Sequence, residues 1–113
     1  MAHAATMDDM TMLERDARVQ TERTLADRLL AYHRGLRSAR LDDRLAFRDA
    51  IVGAINLLGY TGRDISREFN CTPMTVNRWT RGEAAPFAGM RRVIYEKLQS
   101  ETERRLRAFK LAA

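Results

Sequence analysis

The stretch from Gly59 to Gly82, GYTGRDISREFNCTPMTVNRWTRG, restricts the possible folds of this chain more than any other segment, because it crowds cap and turn signals around two short apolar repeats. Thr61 is placed to cap a short helix over Gly62 to Phe69, in which Ile65 and Phe69 lie four residues apart on one face. Ser66, beside them in helical projection, is small, as a close crossing of two helices joined by a tight turn requires. Asn70 falls where that turn needs a residue tolerant of positive φ. Cys71 suits the elbow as a small apolar group rather than a redox centre. Thr72 then caps a second helix, and Pro73 takes its first position, where a missing N–H costs nothing.

In the second helix Val76 and Trp79 lie three apart and are expected to face inward, which makes Trp79 a core residue. Met74, Thr75, Asn77, Arg78 and Arg81 are left to face outward or sideways. Those residue types match the chemistry of a DNA major groove. Arginine reads guanine through O6 and N7, asparagine reads adenine through N6 and N7, and a methyl group touches thymine. Basic and N–H groups at the helix edges suit phosphates.

On these residues the segment resembles the lambda-repressor-like, or XRE-type, helix-turn-helix family, without a gap over Gly59 to Gly82. Gly59, Thr61, Ile65, Ser66, Cys71, Thr72, Thr75, Val76, Trp79 and Gly82 take the family's pattern positions, and Pro86 matches a proline that often follows. The resemblance covers about a fifth of the chain, or about half if the flanking helical segments are counted. It implies a helix-turn-helix domain of about four helices. It also implies that Met74, Thr75, Asn77 and Arg78 contact bases, and that Thr61, Arg63, Thr72 and Arg81 contact phosphates. Three positions depart from the pattern: Gly62 stands where a bracing glutamine is frequent, Asn70 replaces the turn glycine, and Pro73 occupies a position that often reads a base.

The flanks read as all-α, with no strand-like alternation. Residues 1–7 are expected to form a disordered tail. Residues 8–34 form a long N-terminal helix, with Leu25, Leu29, Tyr32 and Leu36 at helical spacing and Gly35 suited to ending it. So narrow a stripe needs a partner surface, either the rest of the chain or the same helix of a second subunit. Residues 42–113 form the helix-turn-helix domain. Asp42 or Asp43 starts its core helix, where Leu45, Phe47, Ala50, Ile51, Ala54, Ile55 and Leu58 make a wide apolar face, and Gly53 allows a close crossing. From Pro86, the residues Phe87, Met90, Ile94 and Leu98 repeat at the helical period; the pattern thins at Glu101 and Thr102, so the end of that helix reads as a more exposed arm.

Charge supports a polyanion partner. Residues 1–56 carry no net charge, and the whole excess of +5 lies in residues 57–113. One cysteine and two distant histidines, His3 and His33, give no zinc-ligand spacing, and no phosphate loop or nucleophile motif is present, so neither an enzyme nor a metal or other cofactor is expected. No apolar run approaches the roughly 20 residues of a membrane span, and no secretory signal is visible. The expectation is a cytoplasmic, nucleoid-associated, dimeric DNA-binding regulator of bacterial or phage type, a repressor by default, with double-stranded DNA as its partner. The alternative is an antitoxin-like or adaptor protein whose N-terminal helix binds a partner protein, DNA binding serving autoregulation.

Overall fold

The helical periods of the sequence are realised as five helices: α1 (Ala2–Ser38), α2 (Arg44–Asn56), α3 (Gly62–Glu68), α4 (Pro73–Thr80) and α5 (Ala88–Ala112). The computed structural model describes residues 2–112, with side chains from Met12 to Phe109, and contains no strand among them. The disordered tail expected at residues 1–7 lies outside the described side chains. No helix among the described residues is long and apolar enough to cross a membrane.

Helix α2 is the centre of the molecule. Asp43 caps it, its carboxylate accepting hydrogen bonds from the Leu45 and Ala46 amides at 3.0 and 3.1 Å. Phe47, Ala50, Ile51 and Ala54 bury one broad face, with Leu58 just beyond the helix. The Phe47 ring stands edge-on to Trp79 of α4 and to Tyr95 of α5, with centroids 5.4 and 6.1 Å away. Gly53 gives the close crossing its position suggests, since a Cβ there would overlap the ring of Tyr32 from α1. Burial pushes the Tyr32 phenol above its usual pKa, and its retained O–H donates to the Ala50 carbonyl at 2.5 Å.

The partner that α1 needs is α5. The two run antiparallel, as Gln99 donates to the Leu36 carbonyl at 3.5 Å and His33 Nε2 lies 2.9 Å from Glu103. Leu29 and Leu36 are buried, and Leu25 and Tyr32 pack against the same core. That packing explains why Gly35 does not end the helix as its residue type suggests. Only Gly59 and Gly82 among the glycines adopt positive φ, and α1 continues to Ser38 so that Leu36 enters the core at 4% exposure. One core is therefore shared across the interval 34–42 that separates the two expected segments.

Two features of α5 differ from the sequence pattern. Phe87 lies outside the helix at 73% exposure, its carbonyl accepting the Arg91 amide at 3.0 Å; a residue ahead of the first turn cannot share the face of Met90, Ile94 and Leu98. The second half of α5 is also no exposed arm. Thr102, fully buried, turns its hydroxyl to the Leu98 carbonyl at 2.7 Å and so behaves as an apolar surface, and Leu106 and Phe109 continue the contact. Glu101 beside it accepts from Arg104 at 2.6 and 3.0 Å and from Arg105 at 3.0 Å. The hydrogen bond from Arg104 and then that from Arg105 hold its carboxyl at about 2 against the cost of burial.

Two outcomes are expected from this packing. Gly53→Ala destabilises the protein by about 1–3 kcal/mol through overpacking against Tyr32, read as a lower urea midpoint. Because the folded pKa of Glu101 is depressed, its contribution is present above the unfolded value of about 4.3 and is lost as pH falls toward about 2. Thermal melts across that window fall less steeply for Glu101→Gln than for the wild type.

Candidate nucleic-acid interface

Local hydrogen bonding fixes the helix pair α3 and α4 at each junction. Thr61 and Asp64 form a capping box at the start of α3: the Asp64 amide donates to Thr61 Oγ1 at 3.1 Å, and the Thr61 amide donates to the Asp64 carboxylate at 2.9 Å. The bond from the Thr61 amide to this carboxylate, and after it the Thr61 side chain, hold the Asp64 carboxyl below its ordinary range. Ile65 and Ser66 are buried, and the Ser66 hydroxyl is satisfied by the Arg63 carbonyl at 2.8 Å.

Helix α3 ends because Asn70 turns to φ 52°, which brings the Cys71 amide back to the Ser66 carbonyl at 2.9 Å. Asn70 therefore does the work of the turn glycine. Cys71 is half-buried in the elbow, and burial raises its thiol pKa, which favours the unreactive protonated form. Thr72 caps α4 by accepting the Thr75 amide at 3.1 Å, with Pro73 in the first turn. At the far end Gly82, at φ 72°, closes the helix: its amide bonds the Trp79 carbonyl and the Glu83 amide bonds the Arg78 carbonyl, both at 3.1 Å.

These anchors set the two faces of α4. Val76 and Trp79 are buried against the core, and Trp79 is held edge-on by Phe47. Met74 is 69% exposed, and Asn77 and Arg78 are also exposed. Thr75 is half-buried, and its hydroxyl lies 3.0 Å from that of Thr72, so the two form a pair instead of two free polar groups. Thr61, Arg63, Thr72 and Arg81 are exposed at the margins of the two helices, with Arg81 facing Glu83 at 3.5 Å. Among the described residues, neither Arg63 nor Arg78 takes part in an ion pair.

The structure adds one basic residue that the linear pattern does not single out. A Cβ built on Gly82 would stand 3.4 Å from Arg48 Cδ and 3.5 Å from Leu45 Cδ2, so the first turns of α2 lie against the end of α4. Arg48 thereby stands on the same edge as Gly82 while pairing with Asp49 at 3.0 Å. Nothing local in the sequence marks this, because the contact joins segments more than thirty residues apart. Glu68 of α3 is ion-paired with Lys97 of α5, which ties the back of the helix pair to the core.

Comparison with protein-family models, curated proteins and solved structures finds no match for this chain. The reading of the site accordingly stands on its own residues and geometry.

Asn70 offers a direct check of the elbow. Asn70→Gly is expected to keep or raise stability, while Asn70→Ala lowers it by about 1–2 kcal/mol, the cost of a Cβ at left-handed backbone without a compensating side chain. Denaturant midpoints of the two variants measure the difference.

Proposed function

We propose that this protein is a sequence-specific DNA-binding regulator that presents α4 to the major groove. The observation that carries the reading is the division of α4 itself. Val76 and Trp79 are committed to the core, whereas the exposed side chains of Met74, Asn77 and Arg78 make no side-chain hydrogen bond or ion pair among the described residues. Asn77 and Arg78 supply hydrogen-bonding edges for adenine and guanine, and Met74 an apolar contact for a thymine methyl. Thr75 contributes its methyl, because its hydroxyl is engaged with Thr72. Thr61, Arg63, Thr72 and Arg81 flank this face as phosphate contacts, and the basic excess of residues 57–113 supplies the long-range attraction.

In this reading two copies bind a palindromic or repeated site, each placing α4 in a major groove, with half-sites about 34–36 Å apart. Occlusion of a promoter is the default consequence. A second reading is favoured by the N-terminal half of α1, where Met12, Leu13 and Val19 are exposed: a partner protein binds there and DNA contact serves autoregulation. Truncation tests of that reading must stop before Leu25, since a deletion through Arg34 would also remove Leu29 and Tyr32 from the core.

Two substitutions separate the assigned roles. Arg78→Ala is expected to lose about 1–3 kcal/mol of discrimination at one base position. Arg63→Ala is expected to weaken binding on all duplexes alike and to lower the salt dependence by about one counterion. Titration of matched and mismatched duplexes at several salt concentrations measures both. If Arg78→Ala weakened every sequence equally, its role as a base reader would be excluded.

A further inference from the structure

We infer that α1 pairs with α1 of a second copy, antiparallel, through the face that carries Leu13, Ala17, Gln20 and Thr24. This deepens the dimeric reading above and rests on it only for the number of copies. Every residue from Met12 to Thr24 is exposed, although an unpartnered helix of this length is marginal in water. On the proposed face a shallow groove is lined by Ala17, Gln20, Thr21, Thr24, Leu25 and Arg28, so it runs directly into the part of α1 that enters the core. The hydroxyls of Thr21 and Thr24 are turned onto the Ala17 and Gln20 carbonyls at 2.9 Å each, which leaves their methyl groups as the surface offered to a partner.

Charge selects the occupant and its direction. Among the described residues, no charged group from Glu14 to Arg28 is ion-paired within the chain. Asp16 and Arg23 flank one edge of the face, and Glu14, Thr21 and Arg28 flank the other. A parallel copy would set Arg23 against Arg28 across the seam, a like-charge contact. An antiparallel copy sets Asp16 against Arg23 of the second copy, twice by symmetry, and places Leu13 opposite Thr24 and Ala17 opposite Gln20. The face is thus complementary to itself in one direction only, as a two-fold interface requires.

Sedimentation equilibrium of the full chain without DNA tests this independently of nucleic-acid binding. The wild type is expected to show a monomer–dimer equilibrium. Asp16→Arg and Arg23→Asp alone each weaken it roughly tenfold, as two attractive edge pairs become repulsive. The double variant, with the charges exchanged, recovers most of that loss. Val19→Asp, on a different face, leaves the equilibrium unchanged, and circular dichroism confirms that each variant keeps its helix content. A monomeric wild type, a double variant as weak as the single ones, or a dimer broken by Val19→Asp would each overturn the proposal.

Discussion

The edge-on contact of Phe47 with Trp79 and Tyr95 is the interaction on which the rest of the structure depends. One fully buried ring joins α2 to α4 on one side and to α5 on the other. Edge-to-face pairs are worth about 0.5–1.5 kcal/mol beyond the area they bury, and loss of a core phenylalanine typically costs about 3–5 kcal/mol. Against a total stability of about 5–15 kcal/mol, that makes Phe47 indispensable. The contact also sets which way α4 faces. Trp79 cannot leave Phe47 without turning Val76 out of the core, so the outward positions of Met74, Asn77 and Arg78 follow from a packing decision made on the opposite side of the helix.

The parts of this architecture that are legible in the sequence are those determined by local chemistry. Asp43, Thr61 and Thr72 act as caps because a side-chain oxygen next to unpaired amides has one favourable use, and Asn70 takes positive φ because its neighbours demand a turn there. The face of α2 from Phe47 to Ala54 is equally readable from its period. What the sequence hides is tertiary. Gly35 carries a stop signal that burial of Leu36 overrides. Thr102 looks like an interruption until its hydroxyl folds onto Leu98, and Arg48 reaches the end of α4 only because α2 and α4 cross there. Phe87 keeps the helical spacing of Ile94 but precedes the first turn of α5, a difference of one or two residues that periodicity does not resolve.

The proposed function rests on how the same helices divide their surfaces. Helix α3 commits Asp64 to its own cap and Glu68 to the ion pair with Lys97, which makes it a support, while Arg63 and Arg67 stay exposed. Helix α4 engages backbone groups and the hydroxyls of Thr72, Thr75 and Thr80, and leaves the side chains of Met74, Asn77 and Arg78 uncommitted. Helix α1 is half core and half surface: Leu29 and Leu36 fasten it to the domain, while the residues from Met12 to Thr24 are exposed and carry the proposed pairing face. The reading face proposed for α4 and the pairing face proposed for α1 together make the arrangement a two-fold DNA-binding regulator needs.

The central claim, that α4 carries a base-reading face, is tested most directly by selecting bound sequences from a random duplex pool with the full chain. The account requires a defined motif to be enriched, with binding that weakens steeply as salt rises. Recovery of an unenriched pool, at salt low enough to retain any phosphate contact, would contradict it.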